Sequence, residues 1–496
     1  MFLTSHEMYA AEEAAFATGV PAEDLMNQAG EKIAKEILRR FGTAPKNRAI
    51  AVIGKGNNGA DALVALRHLK EAGWQVGIRA SVDPSQLEGL PLKKWKELSD
   101  VPLLSSLDQF HGQGSLILLD GLLGIGTKGD LREPLAGLAC EINAMGERRS
   151  AFIVAIDIPS GLNCETGLCG KNTVKADLTC TLASPKIGLI ADQAISHVGA
   201  LALLKLDGLS NWDLSKDHLI TPATLPLEKL TRPFDFHKGQ AGRVGIIAGS
   251  RGLAGAAALT SLGALRGGAG LITLFVKKED YPLILPLVPL EVMVKPITSY
   301  REVLRDPFDA LAIGPGLGLA GTDVLSVIHN FTGPMVIDAD ALNLIARRSA
   351  ITTLRPNQLV TPHPGEMARL LPSLPEGISR AEIASEFVRQ SQAALLFKGA
   401  RTIVTDQNSP LAYNTTGTPA MATGGQGDVL SGLLAALLAR GILTIESAKF
   451  GAWLSGRASE LALAVESEES LSATSTAAHL GKAFQSLRSA ETEKSL

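Results

Sequence analysis

Three glycines precede a single carboxylate in the second half of the chain, a pattern that suits phosphate chemistry. Within residues 417–432, glycines 424, 425 and 427 stand immediately before Asp428, and an apolar helical run, 433–438, follows. Successive glycines at a helix start expose backbone N–H groups that can hold an anion such as a transferring phosphoryl group. Asp428 can accept the proton of an attacking hydroxyl there. A helix cap alone would not need three glycines, so the segment predicts a base beside an anion hole.

Polar turns follow other strand-like runs of this half. Lys398 begins a turn between two apolar runs, and glycine-rich residues 314–318 follow a third. Residues 338–343 and 361–366 again lie at strand ends. A lone histidine is more often a core or surface residue, but His363 is fixed between two prolines just beyond a strand. That rigid placement favours ligand contact.

The first half has its own group of polar strand ends. Asn57 and Asn58 lie in a glycine-rich turn between a strand pattern and a helical pattern, while Asp120 and Asp157 follow two other strand patterns. Taken alone, the turn is as consistent with a tight structural turn as with a ligand site, and each aspartate could be a helix cap. The asparagines could cap the helix and also offer oxygens to a cation or a ribose. Together, the three strand ends favour one shared site.

Alternating strand and helix patterns predict an α/β fold with a parallel sheet in each half. The strand patterns of the first half cover residues 49–53, 74–80, 116–119, 152–156, 176–182 and 200–206. Those of the second half cover residues 242–248, 271–276, 310–313, 335–337, 359–361, 394–397 and 402–405. Residues 207–238 are polar and rich in proline, which indicates a linker or a peripheral segment. A chain of 496 residues allows two large domains, and we place their boundary in this segment.

The overall composition is that of a globular protein and excludes several functional classes. A net charge of -3 gives no reason to expect nucleic acid or an anionic membrane as a partner. The four cysteines show no CxxC pair and no zinc-ligand spacing, which favours free thiols. The first residues lack a signal-peptide pattern, and no apolar run approaches the ~18 residues of a membrane span. We therefore expect a cytoplasmic protein without nucleic-acid or membrane partners.

The motifs of the first half resemble the NAD(P)H-hydrate epimerase domain, also called the YjeF N-terminal domain, over roughly residues 1–215. The resemblance is carried by Asp24-Leu25-Met26 with Ala29-Gly30, the turn from Asn57 to Asp61, residues 120–130 and the segment Asp157-Ile158-Pro159-Ser160-Gly161-Leu162. It implies a Rossmann-like parallel sheet that interconverts the R and S epimers of hydrated NADH and NADPH. Epimerisation needs reversible ring opening or loss of water, and both routes need acid–base help.

The same resemblance implies site residues in this half. It implies that the hydrated cofactor contacts Asn57, Asn58, Gly59, Ala60, Asp61, Gly124, Ile125, Gly126, Thr127, Lys128, Gly129, Asp130 and Asp157. It implies a potassium ion held by Asn58, Asp120 and Ser160, with Asp120 as the base. The family usually has glycine where this chain has Ala60 and Ala62, and glutamate where it has Asn27. A methyl group at Ala60 is expected to crowd the backbone approach to the ligand.

The motifs of the second half resemble the ADP-dependent NAD(P)H-hydrate dehydratase, or YjeF C-terminal domain, over about residues 235–490. This family belongs to the ribokinase-like superfamily, so the resemblance implies a ribokinase-like α/β domain. It implies Asp428 as the base and contacts of the hydrated cofactor with Ala256, Gly318, His363 and Asp428. It implies ADP contacts with Lys398, Gly399, Ala400, Arg401, Thr402, Thr418, Thr423, Gly424, Gly425, Gln426 and Gly427, with Mg²⁺ bridging the phosphates. The family commonly has threonine at the position of Gln426.

Together the two resemblances predict a bifunctional enzyme of nicotinamide nucleotide repair. The first domain would interconvert the epimers, and the second would dehydrate the S form at the expense of ADP, giving NAD(P)H, AMP and phosphate. The expected partners are hydrated NADH or NADPH and ADP, and we expect a homo-oligomer. The alternative is a ribokinase-like vitamin or sugar kinase fused to a non-catalytic nucleotide-binding module.

Overall fold

The apolar runs of the first half form a sheet in which all neighbouring strands are parallel. The computed structural model describes residues 1–209, 213–318 and 323–492, and the chain divides into two units, Met1–Asp213 and Leu214–Leu496. The strands of the first unit are β1 Arg48–Ile53, β2 Gln75–Ala80, β3 Leu116–Gly121, β4 Phe152–Ile156, β5 Leu178–Leu182 and β6 Ala200–Leu204. Their order across the sheet is β2-β1-β3-β4-β5-β6. Every residue of β1 is buried, which is typical of a central parallel strand.

Helices connect these strands and bury their apolar stripes against the sheet. They are α1 Ser5–Ala17, α2 Ala22–Phe41, α3 Asn57–Glu71, α4 Gly89–Lys96, α5 Leu135–Glu147 and α6 Ile195–Val198. In α2 the buried residues Leu25, Ala29, Ile33 and Ile37 recur every four positions, so they form one stripe facing the core. The helix α3 begins directly after β1, which brings the asparagine turn to the carboxyl end of the sheet.

The second unit contains a larger, mixed sheet. Its strands are β7 His218–Ile220, β8 Arg243–Ile247, β9 Leu271–Lys277, β10 Met293–Ile297, β11 Ala310–Ile313, β12 Met335–Ile337, β13 Gln358–Val360, β14 Ala394–Phe397, β15 Ile403–Asp406 and β16 Ser409–Asn414. Their order is β10-β9-β8-β11-β12-β13-β14-β15-β16-β7. Only the β14/β15 and β15/β16 pairs of this sheet are antiparallel among the described strands. The remaining pairs are parallel, so the seven successive strands from β10 to β14 in this order end at one edge.

Helices cover this sheet, and two of them pack unusually closely. The helices are α7 Ala254–Arg266, α8 Tyr281–Ile284, α9 Val324–Asn330, α10 Ala339–Arg347, α11 Pro364–Leu370, α12 Arg380–Gln390, α13 Gln426–Ala439, α14 Thr444–Ala462 and α15 Ala473–Thr492. A Cβ on Gly432 of α13 would lie 1.9 Å from the Thr260 carbonyl oxygen, and one on Gly263 of α7 would lie 2.1 Å from the Val429 carbonyl oxygen. Glycine at both positions therefore lets the backbones of α7 and α13 touch, which fixes the start of α13.

The predicted α/β fold is confirmed, and all thirteen predicted strands are present with small differences at their ends. Three strands were not predicted. The strand β10 carries a lysine and a proline and lies at the sheet edge, while β16 begins with Ser409-Pro410. The third, β7, lies in the segment 207–238 that the composition had indicated as a linker or peripheral, and it pairs with β16. Residues 210–212 of that segment lie outside the described residues.

No helix in the described part of the chain combines the length and the apolar character needed to cross a membrane.

Candidate active sites

A cavity of about 620 Å³ lies at the carboxyl ends of the strands in the first unit. Its wall includes the β1–α3 turn, the segment after β3 and side chains of α1 and α2. Among the residues expected to bind the hydrated cofactor, the cavity is lined by Asn57, Asn58, Asp61, Gly124, Ile125, Gly126 and Asp157. The structure thus brings seven of the expected residues around one space, which matches the crevice where parallel sheets bind ligands.

The asparagine turn is built differently from the expectation. Gly56 is the N-cap of α3, and Asn57 and Asn58 are its first residues, so the interpretation of these asparagines as helix caps is wrong. The Asn58 side-chain amide instead donates to the Leu123 carbonyl oxygen at 3.0 Å, which ties α3 to the segment after β3. A Cβ on Gly59 would lie 2.5 Å from the Gly54 carbonyl oxygen, so Gly59 permits a close backbone contact within the turn.

The expected crowding by Ala60 does not occur. Ala60 is fully buried and its methyl group packs with Met26 and Val64 in a small apolar cluster, so it faces the core and not the cavity. Ala62 is equally buried and packs beside Gly121. Both alanines therefore lie on the buried face of α3 and serve its packing.

The loop after β3 reaches the cavity only with its first residues. Thr127, Lys128, Gly129 and Asp130 do not line the cavity that the described residues form. The Thr127 hydroxyl donates to the Gly124 carbonyl oxygen at 2.9 Å, and the Asp130 carboxylate accepts from the Lys171 N–H at 2.7 Å. Thr127 and Asp130 thus make contacts within the protein, and the expected ligand contacts of residues 127–130 stay predictions.

Asp120 lies inside β3 and is completely buried below the cavity wall. Its Oδ2 accepts from the Ser160 N–H at 2.8 Å, and its Oδ1 accepts from the Ser160 hydroxyl at 2.7 Å and from the Leu122 N–H at 3.3 Å. Burial raises the pKa of Asp120 to about 6, although these hydrogen bonds act to lower it. The Ser160 hydroxyl also accepts from the Leu123 N–H at 2.9 Å. Asn58, Asp120 and Ser160, the three expected potassium ligands, therefore meet around Leu123.

The residues of the cavity wall that were not predicted include two charged side chains, Glu12 of α1 and Lys186 beyond β5. The Lys186 side chain is 1% exposed and forms an ion pair with Asp157. Lys186 could have been found by the same reasoning as Asp157, because it follows the end of a neighbouring parallel strand. No pattern in the sequence points from Glu12 to this cavity, since α1 carries several acidic residues and shows no clear buried stripe.

In the second unit, Asp338 and Lys398 form the centre of a buried polar cluster. Asp338 follows β12 and caps α10, and it is 1% exposed. Its Oδ1 accepts from the Lys398 ammonium group at 2.8 Å, and its Oδ2 accepts from the Ser431 hydroxyl of α13 at 2.8 Å. Burial lowers the pKa of Lys398, but Asp338, Glu366 and Asp428 outweigh that effect and the pKa is raised. Asp338 and Ser431 carry roles that we did not predict, although the strand-end position of Asp338 was a visible signal.

Asp428 lies beside this cluster in the first turn of α13. Gly425 is the N-cap of α13 in the left-handed region (φ +90°), so Asp428 is the third helical residue and not the cap. Burial and the charge of Asp338 raise the pKa of Asp428 to about 6, while Lys398 acts to lower it. Its carboxylate forms no hydrogen bond or ion pair with any described residue. A half-buried carboxylate without a partner is available to take a proton from a ligand.

The turn before Asp428 offers backbone donors to a ligand. Within the described residues, the N–H groups of Gly424, Gly425, Gln426 and Gly427 have no protein acceptor. A Cβ on Gly427 would lie 3.3 Å from the Lys398 nitrogen, so the lysine cation lies against this turn. Free N–H groups, a helix start and an adjacent cation form an anion site. The side chain of Gln426 is buried, and neither polar atom of its amide has a partner in the described part of the protein.

His363 has a structural role that the sequence analysis did not assign. It is the N-cap of α11, and its Nδ1 accepts from the Gly365 N–H at 3.0 Å while Glu366 accepts from the His363 N–H at 2.9 Å. Because Nδ1 accepts, the proton of the neutral ring is on Nε2. That atom lies 3.5 Å from Glu366 in a half-exposed side chain. The remaining expectation, a ligand contact, stays a prediction for the Nε2 side of the ring.

Ala256 of α7 packs against the loop after β11 that contains Gly318. A Cβ on Gly316 would lie 2.7 Å from the Ala256 methyl group, and the Gly318 N–H donates to Asp340 at 2.8 Å. Asn343 donates to the same carboxylate at 3.4 Å and accepts from Arg369 at 2.8 Å. Arg369 belongs to α11, the helix that has His363 as its N-cap. This polar chain of Asp340, Asn343 and Arg369, also not predicted, links the expected cofactor residues to His363.

The turn from Lys398 to Thr402 is held by an arginine of α12. The Arg380 guanidinium donates to the carbonyl oxygens of Phe397, Lys398, Ala400 and Arg401 at 2.8–3.4 Å. Burial lowers the pKa of Arg401 to about 10, and the Thr402 hydroxyl donates to the Gly399 carbonyl oxygen at 3.1 Å. Thr418 caps a single helical turn before the glycine segment, and Thr423 is exposed.

The two sites and their sheets define a two-unit α/β enzyme with an anion site in the second unit. Two family models match the chain: YjeF-related protein N-terminus over residues 22–188 and NAD(P)H-hydrate dehydratase over residues 244–482. The chain belongs to the family of bifunctional NAD(P)H-hydrate repair enzymes.

Relatives of that name match along most of the chain. The enzyme from Moorella thermoacetica is 36% identical over 474 residues, 89% of this chain and 88% of the relative. The enzyme from Coxiella burnetii is 33% identical over 95% of this chain and 96% of the relative. A solved ADP/ATP-dependent NAD(P)H-hydrate dehydratase from Bacillus subtilis is 30% identical, with a TM-score of 0.47, and covers 54% of this chain and 95% of that chain.

We predict that Asp338→Asn lowers the free energy of unfolding of the second unit by about 3 kcal/mol. The variant leaves the buried Lys398 cation without its closest carboxylate, and removing one partner of a buried pair typically costs ~3–5 kcal/mol. We expect a loss at the low end of this energy range because Glu366 remains 3.9 Å from the lysine. Chemical denaturation followed by circular dichroism measures the change. The control is Asp306→Asn, which breaks a more exposed pair with Lys295 and is expected to cost less than about 1 kcal/mol; equal losses would contradict the prediction.

Proposed function

We propose that the first unit interconverts the R and S epimers of hydrated NADH and NADPH, and that the second unit dehydrates the S epimer at the expense of ADP. The observation that carries the proposal is Asp428, a carboxylate without a partner beside Lys398 and the free N–H groups of the α13 start. Membership of the repair-enzyme family supports it and does not favour the sugar or vitamin kinase alternative. The cytoplasmic location and the homo-oligomeric assembly remain predictions from the sequence.

In the second unit, phosphate transfer would precede elimination. The ring hydroxyl of the S hydrate attacks the terminal phosphate of ADP as its proton passes to Asp428, and AMP leaves. Loss of phosphate from this ring carbon and of a proton from the adjacent ring carbon then forms the carbon–carbon double bond of NAD(P)H. The free N–H groups of residues 424–427 and the Lys398 cation stabilise the charge on the transferred group. We propose that residues 398–402 with Thr418 and Thr423 contact the nucleotide, and that Ala256, Gly318 and His363 contact the hydrate.

The residues near Lys398 fit the Mg²⁺ that accompanies ADP. Mg²⁺ prefers hard oxygen ligands and usually takes one or two carboxylates together with phosphate oxygens and water. Asp338 and Glu366, the two carboxylates that form ion pairs with Lys398 among the described residues, could supply these carboxylate ligands. When bound, Mg²⁺ would neutralise charge on the ADP phosphates.

The group around Leu123 fits a potassium ion in the first unit. Asn58, Asp120 and Ser160 supply amide, carboxylate and hydroxyl oxygens, and Leu123 supplies a carbonyl oxygen beside them. One carboxylate in such a set suits a monovalent cation, and the described residues contain no group of three or more side chains of the types that hold a transition metal. We therefore propose a cation-holding role for Asp120. Its burial below the cavity does not favour the role of base that the resemblance implied.

The whole proposal is tested by incubating the protein with mixed R and S hydrates, ADP and Mg²⁺ while recording the absorbance of the dihydronicotinamide. Recovery of both epimers with release of AMP and phosphate is expected. A stable phosphorylated product would instead support a kinase, and recovery of the R epimer only at the spontaneous exchange rate would exclude an active first unit.

We predict that Asp428→Asn lowers the rate of S-hydrate dehydration by about 10²–10⁴-fold, the usual contribution of a general base. The substitution keeps nearly the same side-chain volume, and Asp428 does not cap α13, so folding and ADP affinity should change little. Single-turnover rates with purified S hydrate measure the effect, and the epimer exchange by the first unit serves as the internal control. A folded variant that dehydrates within a few-fold of the parent rate would overturn the assignment.

The pH dependence of dehydration follows from the same carboxylate. A base acts only when ionised, and with a pKa of about 6 only about a tenth of Asp428 is ionised at pH 5. We therefore expect kcat/KM for S hydrate, at saturating ADP, to be level above pH 7 and to fall about ten-fold per pH unit below 6. The negative charge of bound ADP moves this midpoint upward, and the Mg²⁺ that accompanies ADP offsets that effect. A rate that stays level down to pH 5 would contradict the prediction.

The cation site predicts that epimer exchange depends on potassium. Replacing potassium with tetramethylammonium, which is too bulky for the site, should slow the first unit by about ten-fold, because Asn58, Asp120 and Ser160 lose the ion that organises them. Asp120→Asn should slow exchange similarly and should no longer respond to potassium. Dehydration of S hydrate by either protein is the control. Equal exchange rates in both salts would remove the cation from the proposal.

A further inference from the structure

The cavity of the first unit contains charged side chains for which the proposed function has no role yet. Glu12, Asp61, Asp157 and Lys186 all line it, together with Tyr9 and Lys55. These groups come from α1, α3 and two strand ends, so four separate segments deliver ionisable side chains to one space of about 620 Å³. Acid–base chemistry in the cavity must use groups that face it.

The Asp157 carboxylate is bound through one oxygen and leaves the other free. Its Oδ1 accepts from the Leu182 N–H at 3.0 Å, from the Thr181 hydroxyl at 3.4 Å and from the Lys186 ammonium group. No described residue donates to Oδ2. Asp157 also has a left-handed backbone conformation (φ +65°), which is costly for a residue other than glycine and recurs at functional sites. The three bonds to Oδ1 thus fix a carboxylate whose second oxygen is available to a ligand.

Lys186 is the source of this arrangement. Its side chain is 1% exposed, and its ammonium group contacts Asp157 and, at 3.1 Å, the Leu182 carbonyl oxygen. Burying a lysine cation without a counter-charge is costly, so Lys186 needs the Asp157 carboxylate as its partner. The ion pair therefore fixes the position of Asp157 at the wall of an otherwise partly apolar cavity.

Unlike Asp157, Asp61 has no charged partner in the described part of the protein. It lines the same cavity and forms no hydrogen bond or ion pair with the described residues. Burial and then the charges of Asp157 and Glu12 raise its pKa well above the ordinary value, and Lys186 offsets only part of this rise. Two carboxyl groups in one cavity, one paired with a cation and one not, are suited to act as base and acid respectively.

We propose that Asp157, positioned by Lys186, is the base of epimer exchange and that Asp61 is the acid. This assignment rests on the proposed epimerase function and adds its reacting groups. The hydroxyl of the hydrate lies on a ring carbon bonded to the ring nitrogen. Oδ2 of Asp157 takes the hydroxyl proton, the carbon–oxygen double bond forms, and the carbon–nitrogen bond breaks with its electron pair moving to nitrogen. The nitrogen takes the proton of Asp61, giving an open-chain aldehyde.

Closure returns every proton to its origin. Rotation about the adjacent carbon–carbon bond presents the other face of the aldehyde, and the nitrogen attacks it while Asp61 recovers its proton and Asp157 gives its proton to the new hydroxyl. No oxidant, reductant or other reactant is needed. Asp120 takes no part in this step, because both of its oxygens accept hydrogen bonds below the cavity wall.

The test compares four variants by epimer exchange under steady-state conditions in potassium buffer. Asp157→Asn and Asp61→Asn should each lower kcat by about 10²–10⁴-fold with little change in KM, since both remove a proton-transfer group and keep the side-chain volume. Lys186→Met should lower kcat by a similar factor because Asp157 loses its partner, and Lys186→Arg should recover at least a tenth of the parent rate. A residue that only stabilises the fold would not give this rescue of kcat.

The matched control is Lys175→Met, which removes a lysine from an exposed ion pair with Glu147 in the same unit and should leave exchange unchanged. Circular dichroism and hydrate binding verify that each variant is folded, and if Lys186→Met fails this check, the two aspartate variants decide. If folded Asp157→Asn exchanges epimers within three-fold of the parent rate, Asp157 is not the base. The same result for folded Asp61→Asn would show that Asp61 is not the acid. If the parent protein itself exchanges no epimers, the proposed epimerase function is wrong, and the assignment of base and acid is wrong with it.

Discussion

Each of the two sites is organised by an ion pair between an aspartate at the end of a parallel strand and a buried lysine from a later strand end. In the first unit Asp157 follows β4 and pairs with Lys186, and in the second Asp338 follows β12 and pairs with Lys398. A buried pair of this kind contributes little to stability, because the cost of removing both charges from water nearly cancels their attraction. The pair instead fixes the positions of its two side chains. Because separating them would leave a buried charge without a partner, the structure strongly favours the paired geometry.

The same pairs determine what the neighbouring unpaired carboxylates can do. Asp61 and Asp428 lie near an ion pair without joining it, and in both residues burial and the adjacent aspartate raise the pKa. A carboxyl group whose pKa is raised above its ordinary value near 4 exchanges protons with a substrate more readily at neutral pH. The closeness of α7 and α13, which depends on glycine at 263 and 432, then fixes Asp428 and the free N–H groups relative to Lys398. Packing of the helices thus supplies the rigidity that phosphate transfer needs.

The sequence predicted the strands well because central parallel strands are short apolar runs bounded by glycine and polar residues. It also predicted which strand ends line the cavity of the first unit, since the carboxyl edge of a parallel sheet is common to all of them. It could not predict partners that lie far apart in the chain. The pairing of Asp338 with Lys398 and Ser431 joins residues separated by 60 and 93 positions, and no local pattern records it. Likewise Ala60 looked like an obstacle to a ligand, and only the packing with Met26 shows that its methyl group faces the core.

Asp120 and Asp157 show that the role of an aspartate at a strand end can be inferred only from its contacts. The two residues lie at neighbouring strand ends, and their positions after a strand pattern do not distinguish them. Asp120 is fully buried and receives three hydrogen bonds on its two oxygens, so a substrate cannot reach it without breaking them. A carboxylate in that position can still balance the charge of a cation, because attraction to an ion bound next to it offsets the cost of burial that raises its pKa. Asp157 has one oxygen at the cavity wall that receives no hydrogen bond from the described residues. Because of that free oxygen, Asp157 can exchange protons with a substrate, whereas Asp120 can only organise the site.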